Sequence, residues 1–376
     1  RRQRQMCIRD RILKDVIVRS HYMAGYKALG RELDANALRN HFYRFPGVDN
    51  SKDKTLSAML RMAVIAQTQE VFEKAPTETD EQRAAKAAQE GLVKQLFVEL
   101  KRDFKPSDLP PYTLVKLGMH LANTSQPEES IAYFDEILDP SEPNPVRKQA
   151  RINGMSKYRK NAVFGKAVAL GRSKDNAKVD TAIKMMRDEL SKEESSSNPD
   201  RKAMEDAQYN LVKFTAARQD WPAVIAAAEK YRADKSYKKN LPEVLFLQGQ
   251  AYLKQNEPDN ALVCFMNITG ADYKGLVKWS APAMLAQMDT LWNRNRMSQG
   301  TGKQPSDRYV AWRTGSQYVQ LLDTPANRKR MTAEDSDLLN QVKDKVSRFG
   351  SDPAVSQERS DIAAYEAAIR SARGQK

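Results

Sequence analysis

Residues 111–137 read PYTLVKLGMHLANTSQPEESIAYFDEI, and residues 242–268 read PEVLFLQGQAYLKQNEPDNALVCFMNI. Laid over one another, Leu114, Leu117, Gly118, Leu121, Ser130, Phe134 and Ile137 fall on Leu245, Gln248, Gly249, Tyr252, Ala261, Phe265 and Ile268. Apolar residues three and four apart predict helices, two in each stretch. Pro127 and Pro258 coincide too, each opening the second helix after a polar turn, where a ring with preset φ and no N–H is tolerated. Gly118 with Ser130, and Gly249 with Ala261, carry too little side chain to hold antiparallel helices apart. Leu121 with Phe134, and Tyr252 with Phe265, fill the space beside them.

Outward from these stretches the same spacing continues, and no run of alternating residues reads as a strand, so an all-α fold is expected. Breakers such as Phe45-Pro46-Gly47, Ala75-Pro76, Lys105-Pro106, Asp139-Pro140 and Phe349 to Pro353 cut the chain into lengths of one or two helices. Asn144-Pro145, Ser306-Asp307 and Thr324-Pro325 carry the chemistry of helix starts, while SKEESSSNPD at 191–200 reads as a solvated loop. A weaker third unit begins near Met204, with Leu211, Phe214, Ala223 and Ala227 in register and Leu211 at the small position. A pair over 145–192 is longer than the others. Apolar residues Val16/Tyr22/Tyr26, Leu56/Leu60/Val64 and Leu92/Leu96/Leu100 mark helices before Pro106. The stripe Trp279, Met284, Leu285, Met288, Leu291 and Trp292 is expected to be core.

This pattern resembles the tetratricopeptide repeat, a helix-turn-helix unit of 34 residues with a small residue in each helix where the two touch. The resemblance implies a right-handed α-solenoid of antiparallel helix pairs whose first helices line a groove for an extended peptide or a partner's helix. Carried over position by position, it places Tyr112, Val115, Met119 and Asn123, and Glu243, Phe246, Gln250 and Lys254, on that wall. These lack the Lys/Asn combination with which family members clamp a terminal carboxylate, so a mixed apolar-polar groove is implied. Irregular arrays of this kind in bacterial envelope proteins imply a periplasmic or envelope setting rather than the cytoplasm, in assembly or transport.

The chain has 376 residues, with 62 Lys+Arg against 48 Asp+Glu for a net charge of +14. Its 16 Gly and 17 Pro exclude collagen-like and Gly/Pro-rich disordered classes. A single globule of this length would outgrow one core, which points to several domains or a stack of small units. The expected divisions are 1–11, 12–105 as a helical region, 106–272 as the repeat-like pairs and 273–376 as a second helical region. Met6-Cys7-Ile8-Arg9-Asp10-Arg11 resembles a library adapter translated in frame, so the native chain is expected to begin upstream, with any targeting segment lost. The two cysteines, Cys7 and Cys264, make no disulfide framework or metal motif, and no stretch reaches the length of a membrane span.

Catalysis needs convergent groups, and bases are scarce: His21, His41 and His120 have no partner at metal-ligand or catalytic spacing. Gly300-Thr301-Gly302-Lys303 fails as a P-loop, because Met297 stands where glycine is needed and Gln304 where Ser or Thr is needed. Glu128-Glu129 and Glu193-Glu194 read as solvated carboxylates. No catalytic residue, cofactor or metal is expected, and the reading is a non-enzymatic scaffold.

From Pro143 to Lys174 no acid occurs, and Arg147, Lys148, Arg151, Lys157, Arg159, Lys160, Lys166, Arg172 and Lys174 supply positive charge. Lys148, Arg159 and Lys166, eleven and seven residues apart, would share one face of a continuous helix. Together with Arg147, Lys157 and Lys160 they form a candidate surface for an anionic partner. Basic residues interleaved with aromatics near Tyr231 and Tyr237, and near Trp292 and Trp312, add to a second reading as a nucleic-acid-binding helical-repeat protein. The competing reading of the run is a solvated helix answered by acids such as Asp135, Glu136 and Asp188.

Overall fold

The computed structural model describes residues 58, 61–63, 65–66, 68–70, 79–124, 126–270, 277–300, 302–329 and 331–374. Met6 to Arg11, His21, His41, the helix expected around Val16, Tyr22 and Tyr26, and the residues Leu56, Leu60 and Val64 lie outside them. Every regular element among the described residues is helical. No helix among them is long and apolar enough to cross a membrane. The chain forms two compact units, Arg1–Met185 and Met186–Lys376.

In the first unit α1 (Asp80–Asp103) starts on a capping box, in which Thr79 and Gln82 satisfy one another's backbone N–H. Helices α2 (Pro111–Asn123) and α3 (Pro127–Leu138) pack together, and both pack on α5 (Arg159–Gly171). Between them lies α4 (Pro145–Met155), started by the Asn144 side chain accepting from Val146 N and Arg147 N. Helix α4 buries only Met155, so it is an addition to the α2–α3–α5 packing and accounts for the excess length after Pro145. The basic run is thus split between two helices, and the shared face expected of Lys148, Arg159 and Lys166 on one continuous helix does not form.

Phe134, fully buried, is the centre of this packing. A Cβ built on Gly118 would sit 2.8 Å from its Cε1, and one on Gly165 of α5 would sit nearer still. Two helices therefore close on one ring from either side, and a side chain at either glycine would force that ring to move. Leu96, Leu100, Leu114, Leu117 and Ile137 complete the core.

The division between units falls within α6 (Asn176–Glu194), which runs four residues into the expected polar loop. In the second unit follow α7 (Arg201–Ala217), α8 (Trp221–Ala233), α9 (Leu241–Lys254), α10 (Pro258–Thr269), α11 (Val277–Arg294), α12 (Asp307–Leu322), the single turn α13 (Pro325–Arg328), α14 (Ala333–Gly350) and α15 (Pro353–Gly374). Their packing is orderly. Helix α7 lies against α9, α9 against α11, and α11 against α14, while α8, α10 and α12 each bridge two of these neighbours. The expected boundary at 272/273 crosses a common core: Leu262 of α10 clusters with Val277 and Ala281 of α11, and Phe265 with Ala283. Ser306 and Thr324 cap their helices as their sequences predict. Met284, Met288 and Leu291 are buried, with Leu285 and Trp292 packed beside them.

The α9–α10 pair repeats the first unit's geometry, since a Cβ on Gly249 would lie 2.5 Å from Phe265 Cε1. In the α7–α8 pair Leu211 and Phe214 are buried as expected, but the second helix does not follow the predicted register. Val212, Val224, Ala228 and Tyr231 form its core, and Ala223 and Ala227 are only half-buried. Trp221, rather than a proline, takes the first helical position of α8, with Pro222 second. Counted from that start, the buried set sits one residue later than the sequence alignment placed it.

Candidate partner-binding faces

On α9 the four predicted groove residues divide into two kinds. Glu243 is held: Tyr209 of α7 donates its hydroxyl to Glu243 Oε2 at 2.6 Å, and Lys213 Nζ lies 3.6 Å from Oε1. The same ammonium stands 5.2 Å from the Tyr209 ring centroid. Phe246 is half-buried with its ring 5.9 Å from that of Phe265, so much of it belongs to the core. Gln250 and Lys254 are exposed. They are one turn apart on the side of the helix that also carries Glu243 and Phe246.

On α2, Tyr112 is exposed with Lys116 Nζ 5.7 Å from its ring centroid. Val115, at 7 % exposure, belongs to the core cluster and does not line an open wall, and Met119 is half-buried against the same cluster. Asn123 is exposed and lines a cavity of about 790 Å³ between α1 and α2. The cavity wall also holds His120, whose ring stacks on Phe97 with centroids 4.1 Å apart and planes 15° apart. Burial, and then the positive charge of Lys94, hold the His120 pKa below its ordinary value, so the ring is mostly neutral at pH 7. Phe97 of α1 meets His120 of α2, and Lys101 of α1 donates to Gln126 in the turn beyond α2. Sequence reading placed His120 in a repeat helix without companions; its stacking partner, 23 positions away, leaves no local signature.

The basic stretch is turned inward onto α3. Lys148 Nζ lies 2.5 Å from Asp139, Arg151 3.0 Å from Glu136 and Lys166 2.6 Å from Asp135. Arg159 donates to the Leu138 carbonyl at 3.4 Å, and Arg172 donates to the Ala122 carbonyl at 2.6 Å near the end of α2. Carboxylates and unpaired carbonyls at a helix C-terminus make a negative end, and these cations cover it. Lys160 is half-buried, while Arg147 and Lys157 are exposed, the latter 4.8 Å over the Tyr158 ring centroid. The other basic tracts also join helices: Arg232 donates to buried Gln248 at 2.9 Å, and Arg294 grips Asp307 through two nitrogens at 2.8 and 2.6 Å.

Among the described residues no group of three or more His, Cys, Asp or Glu is arranged to hold a metal ion. Cys264 is buried, and its thiol is pushed up to about 11, which leaves it protonated and a poor nucleophile at neutral pH. Comparison with models of known protein families and with curated proteins finds no match to this chain.

Proposed function

We propose that the chain is a non-catalytic interaction module of tetratricopeptide-like design, its helix pairs arranged as a right-handed solenoid. In this reading it holds an extended peptide or a partner's helix on the faces of first helices. The single observation that carries it is the packing order in the second unit, where α7, α9, α11 and α14 lie against one another in sequence. Side-by-side first helices make a continuous surface that their second helices do not cover. Gln250 and Lys254 are its open positions on α9; on α2, described by itself in the first unit, Tyr112 and Asn123 are the exposed ones. A nucleic-acid reading is less well supported, because Lys148, Arg151 and Lys166 already face carboxylates of α3.

A photo-crosslinking residue at Gln250 or Lys254 tests the proposal in extract of the source cells. Capture of one defined partner from these positions, and none from Val263 on α10, is the expected result. Equal yields from both faces overturn it. Phe246→Ala is a poor probe, because it removes packing against Phe265 as well as any partner contact.

A further inference from the structure

The cavity between α1 and α2 joins an apolar floor to a basic wall. Its floor is the Phe97–His120 stack, and Val98 stands at its edge 62 % exposed, an aliphatic side chain left to water beside an apolar wall. Lys94, Lys101 and Arg102 line it from α1, recurring with Val98 at helical spacing on one face, and Glu90 is the one acid in the lining. Lys101 is engaged by Glu129 and by Gln126 at the α2–α3 turn. Lys94 is held differently: its ion pair is with Glu90 one turn back on its own helix, 2.8 Å away, with both side chains about half exposed. Such exposed i,i+4 pairs are weak and exchange readily for a better-placed anion. Asn123 adds amide donors at the same wall.

We infer that this cavity receives an acidic side chain of an extended partner segment, with the carboxylate toward Lys94, His120 and Asn123 and a neighbouring aliphatic residue against Val98 and Phe97. The inference rests on the interaction-module reading and gives that reading a partner chemistry. The charge comes from α1, which supplies none of the groove positions expected from the repeat pattern. Burial and then the Lys94 charge disfavour a proton on His120, and a carboxylate bound beside the ring would favour that proton by its opposite charge.

The test uses the full chain and a short fluorescein-labelled peptide of alternating glutamate and leucine, read by anisotropy. Lysine-leucine and glutamate-serine peptides serve as comparisons. Expected are binding of the glutamate-leucine peptide alone, a loss of about tenfold in affinity for Lys94→Glu and about threefold for Val98→Ser, and weakening with added salt. The His120 imidazole should titrate at higher pH in the peptide's presence, followed by NMR. Both substituted side chains are exposed, and helicity by circular dichroism verifies that each variant folds. Lys254→Glu, on α9 of the second unit, makes the same charge change elsewhere and should bind normally. Peptide binding lost in Lys254→Glu but kept in Lys94→Glu overturns the cavity while supporting the module. Equal binding of all three peptides, or an unmoved His120, also overturns the cavity, whereas the module itself stands or falls on the crosslinking at Gln250.

Discussion

The α2–α3 and α7–α8 pairs solve the same packing problem from opposite sides. In α2–α3 the first helix contributes Gly118 and the second the Phe134 ring that fills the space above it. Counted from the start of each second helix, Val212 stands where Gly118 stands and Ala228 where Phe134 stands; both are fully buried in one cluster. The bulk has moved from the second helix to the first. Close approach of helices therefore requires a fixed volume between them, supplied from either side, and glycine is only one way to provide it. The α9–α10 pair, with Gly249 under Phe265, uses the first solution again.

The largest effect follows from Phe134, which is enclosed by glycines of two helices. Phe134→Ala leaves a cavity between α2, α3 and α5 and should cost about 3–5 kcal/mol, measured by hydrogen exchange of the first unit's amides. Phe265→Ala should cost less, because Ala283 rather than a glycine meets it from α11. Equal losses would mean that Gly165 adds nothing. Next in size is Ala228→Phe, which places a ring against Val212 with no room for it and should destabilise by about 1–3 kcal/mol. Adding Val212→Gly rebuilds the α2–α3 arrangement and should recover at least about 1 kcal/mol in a double-mutant cycle. Simple additivity of the two substitutions would break the comparison. Gly249→Ala, whose new Cβ meets Phe265, should lower stability by about 1 kcal/mol, since the ring has to shift.

Helix pairs, their starts at Asn144, Ser306 and Thr324, and the core character of Met284, Met288 and Leu291 were legible because each is a local matter of spacing or capping. What escaped was set by distant partners. Gly165 has the same role as Gly118, but the extra helix α4 hides its register. The α7–α8 core sits one residue later than the alignment placed it, and Pro222, second rather than first in α8, gives no guide to that register. Of the groove positions, Gln250, Lys254, Tyr112 and Asn123 are open, while Val115 is taken into the core and Glu243 is held by Tyr209 and Lys213. The basic run is answered largely as its competing reading expected, by Asp135 and Glu136, with Asp139 the acid that reading did not name.

Acid should also loosen the second unit. There, burial pushes the Asp307 pKa up, but its bonds from Arg294 and from the Arg296 backbone N–H outweigh that and hold it below the ordinary value of 3.8. A carboxylate depressed in the folded state adds stability that is complete above the unfolded pKa and is lost as pH falls through the folded one. Hydrogen-exchange protection of α11 and α12 should therefore decline below about pH 4. Asp307→Asn removes the titrating group, so its protection should start lower and stay flatter across that interval. A variant that keeps the wild-type slope would place the acid sensitivity elsewhere, Asp259 being the next group to test because Arg296 and Arg294 hold its pKa down at the surface.

The smallest expected effect is the most informative about function. Gln250 and Lys254 are exposed on α9, and no ion pair of Lys254 is found among the described residues, so Gln250→Ser and Lys254→Ala should change stability by less than about 0.5 kcal/mol. Glu243→Ala, two turns back on the same face, breaks the link to Tyr209 and Lys213 and should cost about 1–2 kcal/mol. Urea midpoints separate these outcomes, and crosslinking yield from a neighbouring position reports partner capture independently. A surface kept for a partner should lose capture without losing stability at Gln250 and Lys254, and lose both at Glu243. If all three substitutions lower stability alike, α9 presents a structural face there, and the side-by-side first helices are packing rather than a groove.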